Sequence, residues 1–578
     1  MRAVVDAAPG PPQLRRAMTA SLTPPGAALL YAPDGYDTSR PRLMGRHAAG
    51  EGFLGGMVRH AGFDRLVAVT RSEEDTEAFR RHVAALGATV PAEAIPESQL
   101  HRLAGIGCLL LPGPGLSAHA WRRRRFSDAR SFSLIGLTHT TASAGAMDSI
   151  LDSLIAPVQP WDAIVCTSAA VRGAVRRQLE MQGRYLASRL GATRIEGPAL
   201  PIIPLGVDCA AFRPDPAERA AWRARLEVME ADVVVLHHGR LSFHAKAHPL
   251  PMLLGLQRAA AAAPPGGRVV LVLSGWFADE TQRRAFATEA AALAPQVVLR
   301  HVDGRLPEVR RGIWSAADIF TLLSDNIQET FGIAPVEAMA AGLPVVGTDW
   351  DGLRDTIVHG ETGFRVPTTL AGPMIDLADR HESGVDTYDS YIAAVAQCTA
   401  VDVPAAGDAF TALVADPALR ARMGAAGRRR AQELFDWSVV IGQWRDLWEE
   451  MARIRRATRV ERAQPLRGED RVPPRPDPSL VFADYPTRRL TPETRLALTP
   501  GESAAGALVR LQALVVMPGV APRRDLLPGL DAFEAVLARL QQGPARAGEL
   551  VAEMPMTRAW RMYRAMGWML KVDLLRLA

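Results

Sequence analysis

The sequence predicts two doubly wound α/β domains facing a cleft, followed by a small helical module. Two observations carry this. Short apolar runs alternate with helical stretches, and they do so in two separate sets. A Pro- and Gly-punctuated stretch, PIIPLGVDCAAFRP, separates the sets. Strands alternating with helices give parallel sheets covered on both faces, and two such sets give two doubly wound domains. At 578 residues the chain is also too long for one hydrophobic core.

The first set of strands is expected at 28–31, 66–70, 108–111, 133–137 and 163–167, and the second at 233–237, 269–273, 297–301, 319–323 and 345–348. Residues 1–26 are Pro- and Ala-rich and are expected to be disordered. The first domain then covers 27–214 and the second 215–437. A helix at 438–457, with Trp444, Leu447 and Met451 on one face, is expected to return to the first domain. A Pro- and Arg-rich linker follows over 458–500, and a helical module over 501–578.

A formal net charge of +5 suits phosphorylated ligands or an anionic surface but does not by itself imply nucleic acid. The four cysteines (Cys108, Cys166, Cys209, Cys398) fall in no metal-type spacing, and Cys108 and Cys166 sit in apolar strand runs as small hydrophobes. The first apolar stretch is broken by Asp6 and Pro9–Pro12, unlike a secretory leader, and no apolar run reaches the roughly 18 residues needed to span a bilayer. A cytoplasmic location is expected, with peripheral contact at the inner face of a membrane as an addition.

The most informative segment is 318–367, DIFTLLSDNIQETFGIAPVEAMAAGLPVVGTDWDGLRDTIVHGETGFRVP. An apolar strand ends near Ser324, a loop carries Glu329, Phe331 and Gly332, and a short helix begins near Pro335. The N–H groups of Phe331, Gly332 and Ile333 precede a helix N-terminus, which suits a diphosphate. Glu337 is placed in the first helical turn, where its carboxylate accepts ribose hydroxyls. Glu329, on the loop, accepts sugar hydroxyls. Two carboxylates beside a phosphate site suit neutral hydroxyl donors, and a nucleotide sugar offers them on both sides.

This segment resembles the E-x7-E region of glycosyltransferase family 4, with Glu329 and Glu337 as the pair. The run Ala338–Val346 and Gly360-Glu361-Thr362-Gly363-Phe364 are similar to that family as well. Gly239-Arg240-Leu241 with Lys246 resembles its Arg and Lys pair for the donor phosphates, although Ala247 stands where glycine is usual. Leu137-Thr138-His139-Thr140 resembles its cleft-facing histidine. Trp161–Ser168 and Pro204–Asp208 match further stations, and Met44-Gly45-Arg46-His47 stands for its glycine loop. Gly45 keeps the donor-side role, while Arg46 faces either a phosphate, the acceptor or solvent. The match runs from Gly45 to Trp437.

The resemblance implies a GT-B fold, with an acceptor-side first domain and a donor-binding second domain. It implies sugar transfer with retention of configuration, no metal, and no cofactor beyond the nucleotide-sugar substrate. The acceptor would be a glycan or a lipid-linked molecule in cell-surface polysaccharide synthesis. Glu329, His139, Arg240 and Lys246 would carry the chemistry. Gly45, Phe331, Gly332, Ile333 and Glu337 would hold the donor. The rivals are an epimerase or phosphorylase of the same architecture, for which no lysine has a pyridoxal-phosphate context, and an inactive sugar-nucleotide-binding scaffold.

Three other signals are set lower. Gly113-Pro114-Gly115 mimics a dinucleotide fingerprint but lies late in its domain with a central proline. Asp349-Trp350-Asp351 spells a metal-type D-x-D, yet it follows a buried strand, and Asp351 reads better as the N-cap of a helix from Leu353. The basic run Arg122–Arg125, flanked by Trp121 and Phe126, reads as a solvated helix face, with contact to anionic lipid head groups or a pyrophosphate-linked acceptor as the sharper alternative. In the tail, three helical stretches and a closing strand at 572–577 resemble a winged-helix module. Its few arginines favour a protein or acceptor contact over nucleic acid.

Overall fold

The computed structural model describes residues 26–36, 45–243, 245–246, 248–458 and 472–578. The expected disordered segment therefore lies almost wholly outside the described residues, as do Met44, Ala247, the Arg46 side chain and residues 459–471. The chain divides into two compact units, Met1–Val472 and Pro473–Ala578.

The first unit holds two six-stranded parallel sheets. The first consists of β1 (Gly26–Leu30), β2 (Leu66–Thr70), β3 (Ala92–Pro96), β4 (Gly107–Leu111), β5 (Ser133–Leu137) and β6 (Ala163–Val165), in the order β3-β2-β1-β4-β5-β6. The second consists of β7 (Val233–Leu241), β8 (Val269–Phe277), β9 (Val297–Asp303), β10 (Ile319–Leu322), β11 (Val345–Thr348) and β12 (Gly363–Val366), in the order β12-β11-β10-β7-β8-β9. Both orders are the doubly wound 3-2-1-4-5-6, and together they make the GT-B fold. Each sheet reverses direction of winding between its first and fourth strands, and ligands of such sheets bind beyond the strand C-termini at that point.

Burial on both faces explains the unbroken apolar runs. In β1, Ala27 and Leu29 enter one core while Ala28 and Leu30 enter the other. In β7, Val234 and Leu236 face one side and Val233 and Val235 the opposite side. Strand β3 was not legible in advance. Its sequence, AEAIP, has only Ile95 fully buried, because it is an edge strand.

Three helices of the first domain matter below: α1 (Gly45–His60), α2 (Ser117–Phe126) and α3 (Ala169–Leu190). Helix α2 carries the basic run, and the structure takes Arg123 out of its surface. Arg123 is 1% exposed and makes two 2.6 Å bonds to the buried Asp162, whose carboxylate also accepts the Leu134 and Gln159 N–H groups. A buried charge paired and hydrogen-bonded in this way is structural. Arg122 pairs with Glu97 at 3.0 Å. The four arginines therefore do not form one lipid-facing surface.

In the second domain, α4 (Ile333–Ala340) follows the Glu329 loop, and α5 (Trp437–Ala457) leaves the domain. Asp436 caps α5 by accepting the Ser438 N–H at 3.0 Å. Its Trp437, Val440, Ile441, Trp444, Leu447, Trp448 and Met451 enter the first domain's core beside Phe53, Leu54 and Met57 of α1. Gly206 makes room for this return, since a Cβ there would lie 2.4 Å from the Trp437 ring.

The second unit builds a three-stranded antiparallel sheet, β16-β15-β17, from β15 (Arg495–Leu498), β16 (Ala545–Arg546) and β17 (Leu575–Leu577). Helices α6 (Ala504–Val515), α7 (Leu530–Gln541) and α8 (Met556–Lys571) pack on it. Phe533, Val536, Leu537 and Leu540 of α7 and Met562, Met566 and Met569 of α8 fill the core. The unit starts earlier than the linker boundary at 500 allowed. β15 lies inside the expected linker and is the central strand. Four residues, RLAL, between Pro- and Thr-rich flanks are too few to show periodicity. Of the three helical stretches expected in the tail, the one around Leu550 and Val551 is only a 3₁₀ turn at Glu549–Val551.

Candidate functional site

The second sheet's switch point lies between β7 and β10. Arg240 stands at the C-terminal end of β7 and Lys246 in the turn that follows it, and the loop after β10 carries Glu329. The β10 loop is self-supporting. Asn326 accepts the Gln328 N–H at its side chain (2.8 Å) and the Glu329 N–H at its carbonyl (3.2 Å), an Asx-type turn. The Trp350 indole N–H donates to the same carbonyl at 3.1 Å. The two loops are also pinned to each other. Ser324 Oγ donates to the Lys246 carbonyl at 3.0 Å, and the Asp325 carboxylate accepts the His248 N–H. Burial pushes Asp325 up to about 7.

Lys246 Nζ donates to Glu329 Oε2 at 3.0 Å. The other oxygen, Oε1, accepts the Gly332 N–H at 3.2 Å and the Thr330 N–H at 3.4 Å. Burial alone would raise the Glu329 carboxyl. The Lys246 charge and these hydrogen bonds outweigh burial and hold it below its ordinary value. Of the three amides expected to face a diphosphate, that of Gly332 donates to the Glu329 carboxylate. Gly332 must be glycine here, because its φ is +77° and a Cβ would lie 2.7 Å from Leu353 Cδ2. The Phe331 side chain is buried in the domain core, and Ile333, the first residue of α4, is half-buried.

Arg240 is half-buried, and its guanidinium donates to Gln328 Oε1 at 3.4 Å. Gln328 donates in turn to the Tyr388 hydroxyl at 3.2 Å. Burial lowers the Arg240 pKa against the opposing pull of Asp389 and Tyr388. Gln328 was not singled out in the sequence; its adjacency to Glu329 was the available signal.

Glu337 lies further into the helix than expected. Helix α4 starts at Ile333 rather than near Pro335, so Glu337 occupies the second turn and no acidic residue lies in the first. It is half-buried, and burial raises its carboxyl to about 7. Two half-buried acids eight residues apart are therefore shifted in opposite directions, Glu329 downward by Lys246 and its hydrogen bonds and Glu337 upward by burial.

The Asp351 expectation is also corrected. The short helix Leu353–Thr356 is preceded by Gly352 and has no side-chain cap. Asp351 has φ +44° and accepts the Ser168 hydroxyl of the first domain at 3.3 Å. Burial raises it to about 7, eased by the Gly352 N–H and reinforced by the Glu329 charge. Asp349 faces Arg365 at 3.3 Å and Arg354 at 3.7 Å, so the two D-x-D carboxylates serve different partners.

From the first domain, His139 follows β5, and its carbonyl accepts the Thr330 hydroxyl at 3.1 Å. This places the half-buried His139 beside the Glu329 loop. Gly45 is the exposed first residue of α1, and a Cβ there would meet nothing within 4 Å. The structure therefore brings together Glu329, Lys246, Gly332 and the His139 main chain. Arg240 joins through Gln328, and Gly45 stands apart from these bonds.

The family model of glycosyl transferases group 1 matches residues 218–383, which contain Arg240, Lys246, Glu329 and Glu337. A D-inositol 3-phosphate glycosyltransferase of Nocardia farcinica is 31% identical over 190 residues, 32% of this chain and 39% of that protein. A phosphatidyl-myo-inositol mannosyltransferase of Mycobacterium leprae is 35% identical over 124 residues, 22% of this chain and 24% of that protein. The chain thus spans less than half the length of these relatives. The solved structure of Anabaena HepE in complex with UDP is 16% identical, covering 74% of this chain and all of that one, with a TM-score of 0.47.

Proposed function

We propose, on the premise that residues 218–383 form a domain of the glycosyl transferases group 1 family, that this chain transfers a sugar from a nucleotide-sugar donor with retention of configuration and without a metal. The observation that carries the proposal is the pairing of Lys246 with Glu329 across the second sheet's switch point, with Arg240 alongside. Two cations there neutralise the charge that develops on a departing diphosphate. A buried, ionised carboxylate beside them accepts hydroxyls from the donor sugar.

The step is front-face substitution. The bond from the anomeric carbon to the diphosphate oxygen breaks while the acceptor hydroxyl bonds to that carbon from the same face. The acceptor proton passes to the leaving phosphate oxygen. Lys246 and Arg240 stabilise the leaving group. Glu329 positions the sugar, Glu337 accepts the ribose hydroxyls and His139 lies at the reaction centre. Rate comes from positioning and electrostatic stabilisation rather than from a general base.

The acceptor on this reading is a glycan or lipid-linked molecule entering between the domains, in the cytoplasm. Among the described residues no helix is long and apolar enough to cross a membrane. The test is a panel of nucleotide sugars screened by thermal shift, followed by transfer assays with and without EDTA. One donor should raise the melting temperature, and its turnover should survive chelation. Loss with EDTA and restoration by manganese would contradict the metal-independent reading.

A further inference from the structure

Four hydrogen bonds join the two α/β domains through the Glu329 loop and the loop at Asp351–Asp355; the Thr167–Thr330 bond is buried, those of Thr330 to His139 and Ser168 to Asp351 are part-buried, and that of Ala169 to Asp355 is exposed. Thr330 makes two of them. Its hydroxyl donates to the His139 carbonyl at 3.1 Å, and its own carbonyl accepts the Thr167 hydroxyl at 3.1 Å. The neighbouring Ser168 hydroxyl donates to Asp351, and the Ala169 N–H donates to Asp355 Oδ2 at 2.6 Å. Thr330 is 7% exposed, Thr167 2% and Ser168 0%.

These groups sit on rigid supports. Ser168 is the N-cap of the 22-residue α3 and accepts the Val171 N–H at 3.1 Å. Thr138 ties the end of β5 to β6 through the Val165 carbonyl at 3.1 Å. On the opposite side Gly352 is packed against the Thr330–Phe331 backbone so closely that a Cβ would lie 2.5 Å from Phe331 Cα. Asp351 holds a left-handed backbone to reach Ser168. The loops of β5 and β6 are thereby locked to the loop that bears Glu329.

We infer that Thr330, with Thr167, is a positioning clasp that registers His139 of the acceptor-side domain against Glu329 of the donor-side domain when the cleft is closed. The inference rests on the sugar-transfer reading above. Thr330 touches no donor atom on this view. It acts through its neighbours, so its loss should lower turnover while leaving nucleotide affinity to Arg240, Lys246 and Glu337.

The test uses Thr330→Val, Thr330→Ser and Thr167→Val in the full chain. Thr330→Val should lower kcat about five- to tenfold with the Kd for UDP unchanged, and Thr330→Ser should restore most of it. Thr167→Val should act in the same direction, and the double variant should lose less than the product of the two single losses. Independently of turnover, spin labels on Ser188→Cys and Glu289→Cys in a Cys398→Ser background report the interdomain distance. That distance should be narrowly distributed in the otherwise native chain and broadened or lengthened by Thr330→Val. An unchanged distance, an unchanged kcat, or a Kd that rises in step with the kcat loss overturns the clasp. If no nucleotide sugar is turned over at all, the transfer reading fails while the distance measurement still decides the clasp.

Discussion

Lys246 Nζ and Glu329 Oε2 stand 3.0 Å apart, and the same carboxylate caps the approach to α4 through the Gly332 N–H. The pair is 34% and 11% exposed at its side chains, so solvent screens it only partly. It serves two ends at once. The ammonium keeps a buried carboxylate ionised, and the carboxylate keeps the ammonium aimed at the switch point.

Removing the cation should therefore disturb both ends. Lys246→Met is expected to lower kcat/KM on the order of 10²-fold, because the leaving diphosphate loses a charge and Glu329 loses its stabiliser. The Glu329 carboxyl should then move upward, shifting the acidic limb of the kcat profile to higher pH. A pH–rate comparison with the native chain checks this; an unmoved limb would show that Lys246 does not control Glu329.

The two glutamates should differ in what they cost. Glu337→Ala is expected to weaken nucleotide binding with a smaller effect on turnover, since a ribose contact exists in ground and transition states alike. Glu329→Ala should reduce turnover more than binding. Calorimetric titration of UDP beside steady-state kinetics separates them, and equal, negligible effects of both would remove the site assignment.

Nucleotide affinity should depend on pH through Glu337. Burial raises this carboxyl to about 7, so near neutrality it is half protonated in the free chain. The ribose hydroxyls need the ionised acceptor, and binding must release the proton. Affinity should therefore rise with pH, by about tenfold between pH 6 and pH 8, and Glu337→Gln should flatten the slope. A slope retained in that variant would assign the titration elsewhere.

The return of α5 sets a stability prediction. Gly206→Ala places a Cβ 2.4 Å from the Trp437 ring, where the core has no slack. Overpacking of this kind costs about 1–3 kcal/mol, read as a lower midpoint in denaturant unfolding. An unchanged midpoint would mean that the first residue of α5 is not held as firmly as its packing indicates.

The sheets were legible because strands buried on both faces write themselves as apolar runs, as Val233–Leu236 and Val345–Val346 do. Edge strand β3, with glutamate and proline in it, could not be read that way. Glu329, Lys246 and Arg240 were legible through their motif, and the structure joins them directly or through Gln328. What the motif could not supply was the company each residue keeps. Glu329 takes up the Gly332 amide, Asp351 reaches across to Ser168, and Thr330 bridges the domains, all through contacts between residues 163 to 191 positions apart or set by a backbone turn. Arg123 failed as a surface residue for a similar reason. Its partner Asp162 lies 39 residues away, and a run of four arginines gives no hint that one of them is buried.

The central claim is that the Lys246–Glu329 site breaks the bond between a sugar and a nucleoside diphosphate. Its most direct test measures nucleoside diphosphate release from the donor that gives the largest thermal shift, for the native chain and for Glu329→Gln and Lys246→Met. The account predicts release by the native chain and loss on the order of 10²-fold in each variant, with the fold retained. Release that persists undiminished in both variants, or a native chain that neither binds nor cleaves any nucleotide sugar, would contradict it.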